Sequence, residues 1–276
     1  MLGTEKRPYP FQGVVNSSGE GFIGYNQGDL ERECLISNRE DLPEVSGLSI
    51  EDLGRLPIEL VRLMKIQRTP DHDAVWKEAA FVIKEVTQED DPVYEELVEN
   101  VELLVRAILA DPWGSIGGEF GWNERSNQEF VLNNASLLAR YMAFPTLEGI
   151  VKSLCRKDIE KNGTVRPGRV ILGYGSIDHY SGNEQCNNIG HLLWHLEQDA
   201  ADEPLSSRMQ QFREAYAEFF SNVPSNRVYG HLAKNRNTVL HGEKRAQAEF
   251  GMLLNLISLI IFNIDSVPEE RRTTPE

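Results

Sequence analysis

Cysteine is scarce: the 276 residues hold three, Cys34, Cys155 and Cys186, odd in number and far apart. That excludes a disulfide framework and a zinc ribbon, both of which need close pairing. Long apolar runs are missing too. The nearest approach, Phe250 to Ile264, is too short to span a bilayer and is interrupted by Asn255 and Ser258, so a buried core helix is expected there. The opening MLGTEKRPYPFQG holds no charged start followed by an apolar stretch. No secretory signal is expected, and the expectation is a cytoplasmic protein. Bases are in deficit, 28 against 43 acids, for a net charge of −15. A surface coated in positive charge for gripping nucleic acid is thereby excluded. Lys is rarer than Arg, nine against 19. Such an acidic chain resembles proteins of salt-loving cytoplasms, where acidity serves solubility, so a local basic patch carries more information than the total.

What is present is enough to build a core: 40% hydrophobic and 26% charged residues, over a length that allows one large domain or two ordinary ones. Residues 1 to about 50 are rich in Gly, Asn, Ser and Pro and read as loop or short strand. Helical periodicity begins near Leu56 and stops at Thr69-Pro70. A second helix is expected from about Asp73 to Val86, and a third from Pro92, a good first-turn residue, to Leu109. Eight acids and no base lie between Glu85 and Glu102. No His or Cys joins them, so a solvated helix face is preferred to a metal cluster. The Gly- and Trp-rich stretch 111–125 is read as a boundary between an N-terminal region, 1–120, of unassigned role and a helical domain, 121–265, followed by a charged tail, 266–276.

Within the second region, Ser126 and Glu129 have capping-box spacing and open an apolar-periodic segment reaching Cys155, which Pro145 is expected to bend or restart. Residues 159–186 form a Gly-rich connection too long to be idle, with a short strand expected at Val170 to Leu172. Helices are expected at about 188–198, 206–220 and 236–264. In the last, Phe250, Leu253, Leu254, Ile257, Ile261 and Ile264 follow a 3–4 spacing and should be buried. The fold class is all-α.

One run carries chemistry: Lys234-Asn-Arg-Asn-Thr-Val-Leu-His-Gly242. Arg236 and His241 are five positions apart, roughly 140° around an ideal helix, so the two share a site only if Arg236 caps the helix and folds back. Asn237 and His241, four apart, share a face, so Asn237 can orient the imidazole. Free amides at a helix start favour a phosphate, Arg supplies a planar charged fork, and His exchanges protons near neutral pH. Those are the parts for cleaving RNA without metal. From Asn222 to Arg245 the bases Arg227, Lys234, Arg236, Lys244 and Arg245 face the single acid Glu243, with Tyr229 and His231 nearby. A basic patch beside an aromatic ring suits single-stranded nucleic acid, and RNA contacts are assigned to Arg227, Lys234, Lys244, Arg245 and Tyr229.

The run RNTVLHG resembles the signature of the HEPN superfamily, Arg then four to six residues then His. The segment YMAFPTLEGIVKSLC, 141–155, is similar to the aromatic-x-x-Leu-Glu stretch of the first HEPN helix. The resemblance covers about residues 126 to 265. It implies a HEPN-like helical bundle acting as a metal-independent endoribonuclease in a toxin–antitoxin or antiviral defence setting, with no cofactor. It places Arg236, Asn237 and His241 in the active site, with Glu148 as a polar group facing the motif. HEPN sites are typically composite, so the resemblance also implies a homodimer, with an antitoxin or defence-complex partner as a further possibility. Met252, Asn255, Leu259 and Phe262 broaden the apolar surface of the last helix and would receive the second copy.

Other readings stand beside this one. An Arg and a His at a helix start often only cap it, and some HEPN domains keep the fold and merely bind RNA or nucleotides, or act as scaffolds. His191 and His195 have the i, i+4 spacing of zinc sites but lack the intervening Glu, and two histidines on a helix flank is preferred. His179 sits in a Gly-rich loop, and GYGS at 173–176 lacks the setting of a dinucleotide fingerprint. Trp113 and Trp122 are expected to pack the boundary between the halves.

Overall fold

A computed structural model describes residues 12–15, 21–24, 49–63, 70–86, 92–109, 127–174, 179–240 and 248–264. Among these the chain is mostly helical, as the periodicity predicts. The helices are α1 (Ile50–Leu63), α2 (Pro70–Val86), α3 (Pro92–Leu109), α4 (Asn127–Leu154), α5 (Ile189–His195), α6 (Glu203–Phe219), α7 (Val228–Leu240) and α8 (Ala248–Phe262). A π-turn, Leu196–Ala200, continues α5, and a 3₁₀ turn, Ser225–Arg227, leads into α7. The strands form two antiparallel ribbons, β1 (Gln12–Val15) with β2 (Gly21–Gly24), and β3 (Val170–Leu172) with β4 (His179–Ser181).

Local chemistry explains most of the boundaries. Ser49 caps α1: its Oγ accepts from the Asp52 amide at 3.1 Å and donates to the Asp52 carboxylate at 2.8 Å. The helix therefore begins several residues before Leu56, with Glu51 and Asp52 complementing the positive end of its dipole. Pro145 does not end α4, which runs unbroken to Leu154. Asp202 caps α6 by accepting from the Leu205 amide at 3.1 Å.

The largest difference from expectation concerns the end of the chain. Helix is expected over 236–264; the described residues are helical at Val228–Leu240 (α7) and Ala248–Phe262 (α8), with 241–247 outside the described residues, and α7 begins at Val228, eight residues before Arg236. The inward stripe of α7, Val228, Tyr229, Leu232 and Ala233, is short and broken by Gly230, so the basic composition of the segment masks its periodicity.

Helix α8 is the hub. It packs along α1, α2, α4 and α6. Every side chain described from Phe250 to Phe262 is buried, five of the six predicted core positions among them, and so is the sixth, Ile264; Leu256, Leu259, Ile260 and Ile261 are fully enclosed. Burial of each such side chain contributes roughly 1.5–3 kcal/mol. The spare face assigned to a second copy does not exist: Met252, Asn255, Leu259 and Phe262 are buried by this chain's own helices. Asn255 accepts a hydrogen bond from Trp76 Nε1 at 2.8 Å, tying α2 to α8. Residues 111–125, with Trp113 and Trp122, lie outside the described residues, as does Ser126. The helices on either side share one hydrophobic core. No described helix is long and apolar enough to cross a membrane.

Away from the hub, α5 crosses α7, and the insert between α4 and α5 folds over their meeting point. This corner holds Arg236 and Asn237, which the sequence reading singles out.

Candidate functional site

A buried charge cluster fixes the orientation of α7. Arg213 of α6 grips Glu197 of the π-turn with two parallel bonds, Nε to Oε2 at 2.7 Å and Nη2 to Oε1 at 2.5 Å. Tyr229 of α7 donates its hydroxyl to the same carboxylate at 2.7 Å, and Arg213 reaches the Ser225 carbonyl at 3.1 Å. The guanidinium also lies over the rings of Trp194 and Tyr229, at 5.2 and 5.7 Å. Burial, then the Glu197 charge, pushes the Tyr229 phenol well above its ordinary range, so it stays a donor. Tyr229 is 1% exposed. It is therefore a structural ring, and its assignment to RNA stacking is corrected.

Two glycines let the elements approach. A Cβ on Gly190 of α5 would stand 2.6 Å from the Tyr229 carbonyl oxygen, so the two backbones touch there. A Cβ on Gly230 would stand 2.7 Å from the ring of Tyr174, which lies on the bare backbone of α7.

Arg236 extends the buried stripe of α7, being seven residues on from Tyr229 and four from Leu232, nearly two turns and one turn along the helix. That brings its side chain against α4, where Nη2 donates to Glu148 Oε2 at 3.0 Å. Glu148 also holds Lys152 Nζ at 2.8 Å through its other oxygen, and both of those side chains are 15% exposed. Arg236 Nη1 donates to Asn237 Oδ1 at 3.3 Å. The sequence reading brings Glu148, Arg236 and Asn237 together, and in the structure they touch. His241, Lys244 and Arg245 lie outside the described residues.

The electrostatic argument from a helix start is overturned. Only the first four amides of a helix lack internal partners, and Arg236 is well past them in α7. Positive potential at this place comes from side chains. Lys234 is exposed and has no partner among the described residues, whereas Arg227 is exposed in the 3₁₀ turn and does not line the cavity described next.

Beside Arg236 a cavity of about 530 Å³ opens between α7 and the insert, lined by Lys234, Arg236 and Asn237 on one side. The other side carries the amides of Gln185, Asn187 and Asn188 with Tyr174 and Tyr180. No carboxylate lines it among the described residues. Backbone pairing sets the amide wall: Thr164 bridges Gln185, and the Cys186 amide donates to the Gly163 carbonyl at 2.9 Å. His191, 4% exposed, props the aromatic side, with Nδ1 3.0 Å from the Tyr180 hydroxyl and its ring 4.9 Å from that of Tyr174.

No family model, curated protein or solved structure matches the chain. The site is read from its own geometry.

His195 and His231 have structural surroundings. His195 is wedged between Asp158 and Asp199, each 3.2 Å from a ring nitrogen. His231 sits 2.9 Å from the Tyr216 hydroxyl, and burial, then Lys234, holds its pKa below the ordinary value. His179 is exposed on β4. No group of three His, Cys, Asp or Glu residues among the described ones could hold a metal ion. Cys155 and Cys186 are buried free thiols; burial pushes the first well up and the second to about 11, so neither is a reactive thiolate. The acidic run divides as a solvated face does: Glu96 meets Lys161, and Glu102 lies between Lys84 and Arg106.

Sequence reading missed Lys152, Tyr174, Tyr180 and the three amides. The available signal was a pair of glycines, Gly190 and Gly230, each inside helical sequence, which mark close backbone approach.

Proposed function

We propose that the chain is a metal-independent endoribonuclease of HEPN type, acting on single-stranded RNA. The observation that carries this reading is Arg236, held by Glu148 and Asn237 at a cavity that also presents Lys234 and that no carboxylate lines among the described residues. Two of the five guanidinium N–H groups are committed to those partners, which leaves donors for a phosphate. In the proposed reaction His241 exchanges a proton with the sugar oxygens, Arg236 stabilises charge on the phosphorus oxygens, and Asn237 orients the imidazole. The 2′-hydroxyl attacks its own phosphorus and the 5′-oxygen leaves, so the products carry 2′,3′-cyclic phosphate and 5′-hydroxyl ends, and DNA is not cut. A second copy, a toxin–antitoxin or antiviral setting, and an antitoxin partner belong to the same proposal.

The test is cleavage of single-stranded RNA in excess chelator. Loss of a general acid–base group costs about 10²–10⁴-fold in rate, so His241→Ala should be nearly silent. Activity that dies with chelator, or survives in His241→Ala, refutes the mechanism. RNA binding without any cleavage would favour a silent binding module instead. Sedimentation of the active species tests the second copy, and an active monomer refutes it.

A further inference from the structure

We infer that the cavity beside Arg236 is a base-recognition subsite that takes one unpaired nucleotide; this rests on the RNA reading above and adds to it what the protein recognises. Four observations converge.

The cavity volume, about 530 Å³, lies within the roughly 300–1,000 Å³ typical of small-ligand sites. Its two ends differ in chemistry. Gly230 stands at the aromatic end, against Tyr174, and Lys234 and Asn237 follow on the same face of α7 at the helical spacing i+4 and i+7. At 1.5 Å per residue those positions are roughly 6 and 10 Å along the axis from Gly230, the span from a base ring to its own phosphate. The aromatic end therefore suits the base and the cationic end the phosphate.

The amide wall has hydrogen-bonding capacity left over. Asn187 Nδ2 donates to Gln185 Oε1 at 3.3 Å, and Asn188 Oδ1 is used in capping α5, accepting from Gly190 at 2.9 Å. Among the described residues, Asn187 Oδ1 and Gln185 Nε2 have no hydrogen-bond partner, and both residues line the cavity, so its wall keeps one amide acceptor and one amide donor. Such a pair matches the donor and acceptor on a base edge, which is how unpaired bases are read. A bare phosphate site would need no amide acceptor. Finally, the aromatic wall is braced: Tyr180 is tied to buried His191, and Tyr174 rests on both His191 and Gly230. A braced ring costs little to order on binding.

The experiment is calorimetric titration of the full-length chain with inorganic phosphate and with each of the four nucleoside 5′-monophosphates at one fixed salt concentration. At least one nucleotide should bind about tenfold or more tighter than phosphate, the increment expected of a stacked and hydrogen-bonded base. Gly230→Ala, which drives a methyl into the Tyr174 ring, should remove most of that increment. Asn187 is exposed, so Asn187→Ala tests the same wall without threatening the fold and should remove the preference among bases. Lys234→Ala should weaken phosphate and nucleotides alike. Equal affinity for phosphate and all four nucleotides, no binding at all, or nucleotide binding indifferent to both Gly230→Ala and Asn187→Ala overturns the subsite. Cleavage assayed in parallel separates the two proposals. Base-selective binding without cleavage supports the subsite while the nuclease reading falls, and cleavage with no base increment overturns the subsite alone.

Discussion

Glu197→Ala is the most demanding test of how α7 is held. The carboxylate accepts three hydrogen bonds, two from Arg213 and one from Tyr229, and its side chain is 1% exposed against 10% for Arg213. Removing it leaves a guanidinium charge enclosed by Trp194 and Tyr229 and a phenol without its acceptor. Stripping one partner from a buried pair typically costs about 3–5 kcal/mol, a large share of the roughly 5–15 kcal/mol that stabilises a domain. At about 2–4 °C per kcal/mol for a chain of this size, the melting temperature should fall by about 6–20 °C. Urea unfolding of wild type and variant measures the same difference directly. The double variant Glu197→Met, Arg213→Met should be much less harmed, because no charge is then left unpaired in the interior. A loss below about 1 kcal/mol in Glu197→Ala, or a double variant worse than the single, would refute the claim that this pair fixes the α5–α6–α7 corner.

Three further outcomes follow. Gly190→Ala pushes a methyl to 2.6 Å from the Tyr229 carbonyl oxygen, and since backbone cannot swing aside it should destabilise by about 1–3 kcal/mol, measured by urea midpoint. His231 has a folded pKa below its ordinary 6.5, so the unfolded chain binds the proton first on acidification; stability is full above that value and is lost as pH falls through the lower folded one, and His231→Gln should flatten that part of a stability–pH profile taken from about pH 7.5 to about pH 5. In the RNA assay Arg236→Lys should lose most of its activity at unchanged melting temperature, because a point charge cannot keep Glu148 and Asn237 while offering a fork to phosphate, whereas Asn237→Ala should be milder.

How much of this was legible depends on the range of each interaction. The five predicted apolar positions on α8 repeat at 3–4 spacing and are buried, as is Ile264 just past its end, because a helix in the centre of a core needs that periodicity whatever surrounds it. Pro92 opens α3 and Val170–Leu172 forms a strand for equally local reasons. Surface left over for a second copy was not legible. Whether Met252 and Leu259 face a partner or this chain's α1 and α2 is decided by elements some 170 to 210 residues away. Tyr229 shows the same limit: an aromatic residue beside basic ones reads as a stacking platform, until Glu197, 32 residues earlier, claims its hydroxyl.

The site divides along the same line. Arg236 and Asn237 are adjacent, and their types alone suggest phosphate chemistry. Glu148, Lys152 and the amide wall reach them only because α4 lies under α7 and the insert folds back over Gly230. In a chain of net charge −15 that assembly has an electrostatic consequence. Long-range attraction cannot bring a polyanion to this surface, since the field beyond a Debye length of about 8–10 Å follows the whole protein and is negative. Inside that distance the lining dominates: among the described residues it holds no carboxylate and Lys234 has no partner, and Arg236 is only partly neutralised by Glu148. On the RNA reading, selection therefore falls to contacts made at close range, by base and phosphate together, and strands held in duplexes or presenting phosphate alone gain too little to offset the repulsion they cross.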